Sequence, residues 1–193
     1  DAQSYISLDK VKNIASKNIP VVLLSGGEPT IHPDFCEIVR TLNSGSSKVY
    51  VFTNGLHAEP LLEAAEGRKN IRIVTAFLAG QAKALTNRKI QTLSILRDRR
   101  IPVRANLIVD VDDKYVKSIP EDELKRILSV VSRAYVTKYL KANCDTGEQH
   151  VIRLMAYANY ISRKYNVEVV TYRYPNPLQR FALNVFSKTL YRK

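Results

Sequence analysis

Short apolar runs alternate with amphipathic segments along nearly the whole chain, and this alternation narrows its possible folds more than any other feature. Strands are predicted over Val21–Leu24, Lys48–Phe52, Ile71–Phe77, Pro102–Val109, Ala134–Leu140 and Val167–Tyr172. Helices are predicted over Leu8–Asn18, Pro33–Asn43, Ala58–Glu66, Asn87–Arg99, Pro120–Val131 and Glu148–Tyr165. In the second helix Phe35, Ile38, Val39 and Leu42 recur at helical spacing. In the fifth, Glu121, Asp122 and Glu123 sit in the first turn, where the helix end is positive. Strand-plus-helix units of roughly 30 residues imply parallel strands joined by right-handed crossovers. A doubly wound sheet and a β/α barrel, complete or partial, both satisfy the pattern. In either, the carboxyl ends of the strands gather on one face, where ligands bind.

The 193 residues suffice for one domain with a sizeable core. With 45% hydrophobic and 25% charged residues, the composition is that of an ordinary soluble globular protein. No apolar run approaches the ~20 residues of a membrane span, and no secretory signal peptide is visible. The start at Asp1 rather than Met reads as a cut or renumbered chain. Two cysteines, Cys36 and Cys144, make no disulfide framework, so a cytoplasmic location is expected. The net charge of +12, from 30 Lys and Arg against 18 Asp and Glu, suits RNA, DNA or another anionic partner. Spread along the chain as it is, the same charge also fits a solvated surface.

Directly after the first apolar run comes Ser25-Gly26-Gly27-Glu28-Pro29-Thr30. Glycines here permit positive φ and leave bare backbone groups facing a ligand. Glu28 offers an acceptor for an ammonium group or a buried basic side chain, and Pro29 stiffens the loop. In isolation the same residues also make a tight strand-to-helix turn that binds nothing. The next strand ends in Thr53-Asn54-Gly55, and a later one in Asp110.

The apolar strand, the Ser25–Thr30 loop, His32-Pro33-Asp34-Phe35, a helix and then Val49-Tyr50-Val51-Phe52-Thr53-Asn54-Gly55 together closely resemble the radical S-adenosylmethionine (radical SAM) family. The resemblance is specific over residues 21–55 and diffuse beyond, to about Val109. It implies a partial (β/α)6 TIM-like barrel of parallel strands over residues 1–175; residues 176–193, by their own composition, are expected to form a basic helical tail. It also implies that the backbone of Gly26, Gly27, Glu28 and Pro29 holds the methionine end of SAM, with Thr53 and Asn54 ending the adjoining strand. Thr75, the only hydroxyl near the end of the family's fourth strand, and Asn106 on its fifth are the further residues implied for the SAM carboxylate or ribose. Asn87–Asp110 resembles the fourth helix and fifth strand of the family, and Ser7–Asn18 its first helix.

One departure dominates. The family binds a [4Fe–4S] cluster through a Cys-x3-Cys-x2-Cys loop after its first strand, and such clusters need thiolates. This chain has no such triplet. The first strand and the cluster loop are expected just upstream of Asp1, or the protein is a cluster-less relative.

Other candidates carry less. His32 starts a helix, His57 reads as a surface loop residue and His150 lies near the start of the longest helix; no pair has metal-ligand spacing. Cys36 suits a small buried position, and Cys144 a loop near the expected active face, as an ordinary thiol, a radical relay or an auxiliary ligand. Asp110, Asp112 and Asp113 suit a solvated loop or a cationic ligand. The tail interleaves basic and aromatic residues from Arg173 to Phe181, fit to cap an open barrel edge or to stack on bases.

Two functions are therefore expected. One is a radical SAM enzyme, with SAM and a [4Fe–4S] cluster as cofactors, an electron donor, and a substrate the residues do not name. The other is a cluster-less barrel that binds nucleic acid or protein. Nucleic-acid binding is checked by titration across ionic strength: affinity falls steeply with added salt if phosphates are the partner, and a flat response removes that reading.

Overall fold

Pairing of the strands begins at the first apolar run. The structure is a computed structural model that describes residues 5–44, 47–111, 116–138 and 148–171. Asp112, Asp113, Cys144 and the tail after Thr171 lie outside them. Two compact units emerge, one drawn from residues 1–76 and 87–104, the other from 77–86 and 105–193.

In the first unit, β1 (Val21–Leu24) pairs in parallel with β2 (Lys48–Thr53), Val22 opposite Val49 and Leu24 opposite Val51. β2 pairs in parallel with β3 (Ile71–Leu78), Thr53 opposite Thr75. The β2 side chains alternate: Val49, Val51 and Thr53 are buried, while Tyr50 and Phe52 are partly exposed. This is the two-residue period of a strand with one face packed. Helices α1 (Leu8–Ala15), α2 (Phe35–Ser44) and α3 (Ala58–Ala65) connect and cover these strands, with α2 in contact with both α1 and α3. Phe35, Ile38, Val39 and Leu42 of α2 are all buried, as their helical spacing predicts. Ser7 caps α1 by accepting the Lys10 N–H at 3.5 Å. The helix stops at Ala15, short of Asn18, which takes a left-handed φ of 50°.

In the second unit, β4 (Val103–Val111) is followed by a two-residue strand, β5 (Val116–Lys117), antiparallel to it, which the sequence pattern does not signal. β6 (Arg133–Lys138) and β7 (Glu168–Thr171) pair in parallel, Ala134 opposite Val169. α5 (Glu121–Val130) buries Leu124, Ile127 and Leu128, and α6 (Glu148–Tyr165) buries Met155, Ala156 and Ile161. The acidic start of α5 meets the basic end of α6 through Lys164 Nζ and Glu121, 2.5 Å apart. α4 (Lys83–Asp98), whose residues from Asn87 onward fall in the first unit, begins four residues before the predicted Asn87. Its early turn carries Lys83, Ala84 and Leu85, all good helix formers, and Thr86 accepts from the Gln81 side chain at 2.7 Å.

Gly55 marks the tightest point of the first unit. It has φ of 74°, and a Cβ placed on it would sit 2.6 Å from Thr75 Cγ2, itself fully buried. Gly55→Ala is expected to cost about 2–4 kcal/mol, from left-handed strain plus overpacking. Urea unfolding of the single variant and of Gly55→Ala with Thr75→Ala checks it, because removal of Cγ2 returns part of the loss.

Candidate functional site

Because β1 and β2 are parallel and adjacent, the loops at their carboxyl ends are neighbours. The first loop holds Gly26 and Gly27, both at positive φ, 108° and 54°. A side chain built on either glycine would meet no atom within 4 Å. Their backbone groups make no hydrogen bond to another described residue. Backbone donors and acceptors left bare in this way are suited to a ligand that approaches closely.

Glu28 anchors that loop. Its Oε1 accepts the Thr30 N–H at 3.2 Å, the Thr30 hydroxyl at 2.7 Å and the Thr53 hydroxyl at 2.7 Å. Its Oε2 accepts the Asn54 N–H at 2.6 Å. Burial alone would push the carboxyl up; the Asn54 N–H, the two threonine hydroxyls and the Thr30 N–H together outweigh it and hold the pKa below the ordinary glutamate value. Lys89 of α4, only 4% exposed, donates to the Ala76 carbonyl at 2.7 Å and lies within the field of the Glu28 charge. Desolvation lowers the Lys89 pKa and Glu28 opposes that shift.

Thr53 and Asn54 complete the turn. Thr53 Oγ1 also accepts the Gly55 N–H at 3.1 Å, and Asn54 Oδ1 accepts the Leu56 N–H at 2.8 Å. Asn54 thus closes an Asx-turn. Thr30 Oγ1 lies 2.9 Å from His57 Nδ1 at the start of α3.

A cavity of about 390 Å³ opens beside the glycine loop. Its walls include Leu24, Ser25, Gly26, Gly27, Glu28 and Pro29 on one side. Tyr5, Ile6, Ile31, His32, Phe35 and Ile38 form the rest. His32 clasps the Tyr5-Ile6 segment to the loop. Its Nε2 lies 3.2 Å from the Ile6 carbonyl, its Nδ1 accepts the Asp34 N–H at 3.0 Å, and its ring meets that of Tyr5 edge-on at 4.7 Å.

The structure therefore brings Gly26, Gly27, Glu28, Pro29, Thr53 and Asn54 together, but with divided roles. The first four line the cavity; Thr53 and Asn54 stand behind it, bonded to Glu28. Glu28 spends most of its acceptor capacity on Thr30, Thr53 and Asn54, and of the two partners expected for it, an ammonium group or a buried basic side chain, the buried Lys89 feels its charge. Thr75 is fully buried beneath Gly55 and does not line this cavity. Asn106 belongs to the second unit, where its Oδ1 is 2.9 Å from Thr137 Oγ1 on β6. The sequence reading missed the wall formed by Tyr5, Ile6 and His32, and the link from Thr30 to His57. His32 and His57 gave a signal, since each follows one of the two loops by a few residues.

No group of three or more His, Cys, Asp or Glu able to hold a metal exists among the described residues. Cys36 is a half-buried thiol whose Sγ lies 3.6 Å from the Pro60 carbonyl. Burial, with the Glu63 charge beside it, pushes its pKa up, so it stays protonated and is a poor metal ligand.

Comparison with known proteins follows the same lines. No family model matches the chain. A stretch of 82 residues, 39% of this chain, is 38% identical to the GTP 3′,8-cyclase of Lactiplantibacillus plantarum. A stretch of 67 residues is 39% identical to the GTP 3′,8-cyclase of Mannheimia succiniciproducens. These matches span 24% and 20% of the two relatives, so the chain corresponds to only part of their length. Among solved structures, Streptococcus suis SuiB bound to S-adenosylmethionine superposes with a TM-score of 0.69 over 90% of this chain and 45% of SuiB, at 16% identity. TYW1 with a lysine-pyruvate adduct bound superposes at 0.53 over 81% of this chain and 60% of TYW1, at 15% identity. The fold they share with this chain is α/β, parallel strands alternating with helices, of the partial TIM-like barrel class.

Since folding lowers the Glu28 pKa, Glu28 stabilises the protein above its unfolded-state value, and that contribution is lost as pH falls through the lower folded value. Glu28→Gln is expected to lower stability at pH 7 by about 1–3 kcal/mol and to flatten the loss of stability on acidification below about pH 4.3. Denaturant unfolding of both proteins from pH 7 to pH 3 measures it.

Proposed function

We propose that the chain is a member of the radical SAM superfamily and forms the SAM-binding core of an enzyme of that superfamily, a reading supported by its local identity to two GTP 3′,8-cyclases and by the fold it shares with SuiB. The observation that carries this reading is the pair of positive-φ glycines lining the cavity, their backbone unengaged among the described residues. The donor set fits SAM. Backbone carbonyls of the glycine loop would accept from the methionine ammonium, and backbone N–H groups nearby would meet its carboxylate. Ile31, Phe35 and Ile38 give the same cavity an apolar wall. Glu28, Thr53 and Asn54 hold the glycine loop in its open geometry and so set the angle at which the ligand enters.

The chemistry SAM supplies in this superfamily is a 5′-deoxyadenosyl radical, released when a [4Fe–4S] cluster reduces it. The described residues do not fit that cluster: they contain Cys36 alone, and the whole sequence has two cysteines where three thiolates are needed. The proposed role of these 193 residues is therefore to hold and orient SAM, with cluster ligands supplied from outside them. The reaction carried out on a substrate, and the electron donor, lie outside what these residues specify.

Two measurements test the proposal. Isothermal titration with SAM is expected to give saturable binding that Gly26→Val weakens about tenfold, since the new side chain enters the cavity mouth and forces a strained φ. In parallel, the complete gene product, reconstituted anaerobically with iron and sulfide, is assayed for 5′-deoxyadenosine. Absence of SAM binding overturns the reading. Binding without 5′-deoxyadenosine from the complete product points instead to a cluster-less SAM-binding protein.

A further inference from the structure

We propose that His57 is a positioning residue of the glycine loop, acting through Thr30 to fix Glu28 by donating from Nδ1. The proposal rests on the SAM-binding reading for its consequence, but its geometry stands apart from it.

The argument is a proton count. The Glu28 carboxylate is ionised, because four donors surround it and none of its contacts is an acceptor alone. Thr30 has one hydroxyl proton and two close partners, Glu28 Oε1 at 2.7 Å and His57 Nδ1 at 2.9 Å. Without a proton between them, two oxygens at 2.7 Å would repel, so the hydroxyl proton lies on the Glu28 side. Thr30 Oγ1 is then an acceptor towards His57, and His57 Nδ1 must carry hydrogen. A chain of donation follows: His57 to Thr30, Thr30 to Glu28. Each bond polarises the next.

The neutral tautomer required, Nδ1–H with Nε2 bare, is the one a free histidine side chain favours less. His32 provides the opposite case within the same unit. There the Asp34 N–H donates to Nδ1, so Nε2 carries the hydrogen and donates to the Ile6 carbonyl. Two histidines flanking one loop thus hold it through opposite tautomers. His57 secures the side tied to Thr53 and Asn54, and His32 the side tied to Tyr5 and Ile6.

Protonation of His57 adds a hydrogen at Nε2 and leaves the Nδ1 donation in place. The arrangement is thus a clamp that works in both charge states rather than a pH switch.

The test uses the chain with 15N-labelled histidine. Long-range 1H–15N spectra above the histidine titration range are expected to show one ring in the Nδ1–H form, assigned to His57 by its loss in His57→Phe. Carbon-detected titration of Glu28 is expected to show its midpoint rising by about half a pH unit in His57→Phe, and returning in His57→Asn, whose amide donates from the Nδ1 position. SAM affinity is expected to fall about fivefold in His57→Phe and to recover in His57→Asn. An Nε2–H tautomer at His57, or a Glu28 midpoint indifferent to both substitutions, overturns the proposal. If His57→Phe fails to fold, the tautomer in the unsubstituted chain and the His57→Asn midpoint still decide it. A chain that shows the predicted tautomer and midpoints but binds no SAM removes the functional reading and leaves the clamp standing.

Discussion

The Glu28 carboxylate is the joint on which the site depends. A loop with two consecutive left-handed glycines has little of its own to keep it open, since glycine loses more conformational freedom on ordering than any other residue. Glu28 compensates with four hydrogen bonds at 2.6–3.2 Å, drawn from Thr30 within its own loop and from Thr53 and Asn54 on the neighbouring one. Bonds to an ionised acceptor are stronger than neutral ones. The burial that raises the cost of the charge is overcome by those same donors, and the lowered pKa reflects that balance.

This arrangement separates holding from binding. Side chains face inward to one another, Glu28 to Thr30, Thr53 and Asn54, while the backbone of Gly26 and Gly27 faces the cavity. A ligand recognised mainly by backbone groups places little demand on side-chain identity in the loop, except where φ must be positive. It places a strong demand on the residues that hold the loop. Gly55 illustrates this second class: its missing side chain makes room for Thr75, so β3 and the turn after β2 pack without a gap.

Much of this was legible in the residues. Alternation of Val49, Val51 and Thr53 on β2 and the helical spacing of Phe35, Ile38, Val39 and Leu42 both follow from periodicity, because burial on one face leaves a mark on sequence. The glycine pair and the Thr53-Asn54-Gly55 turn were legible because strained backbone selects particular residue types. The orientation of Glu28 was not. A carboxylate at a loop reads equally as open acceptor or as internal tie, and only the register of Leu24 against Val51, which brings Asn54 within reach, decides between them. Boundaries failed where local capping won over pattern, as at Asn18 with its left-handed φ, and at β5, too short to leave any periodicity.

The same division explains why the resemblance is sharp over residues 21–55 and diffuse beyond. Within that stretch nearly every polar residue of the two loops is committed to one network, so a change at Glu28, Thr30, Thr53 or Asn54 leaves a partner unsatisfied in a partly buried place. In the second unit, Asn106 meets Thr137 on β6, and at the surface Lys164 donates to both Glu121 and Tyr160. Exposed contacts such as those of Lys164 can be lost at little cost, whereas a network of five residues around one part-buried carboxylate cannot be changed one residue at a time without leaving a partner unsatisfied. Sequence similarity is expected to persist where substitutions are coupled and to fade where they are independent, and in this chain that coupling is centred on Glu28.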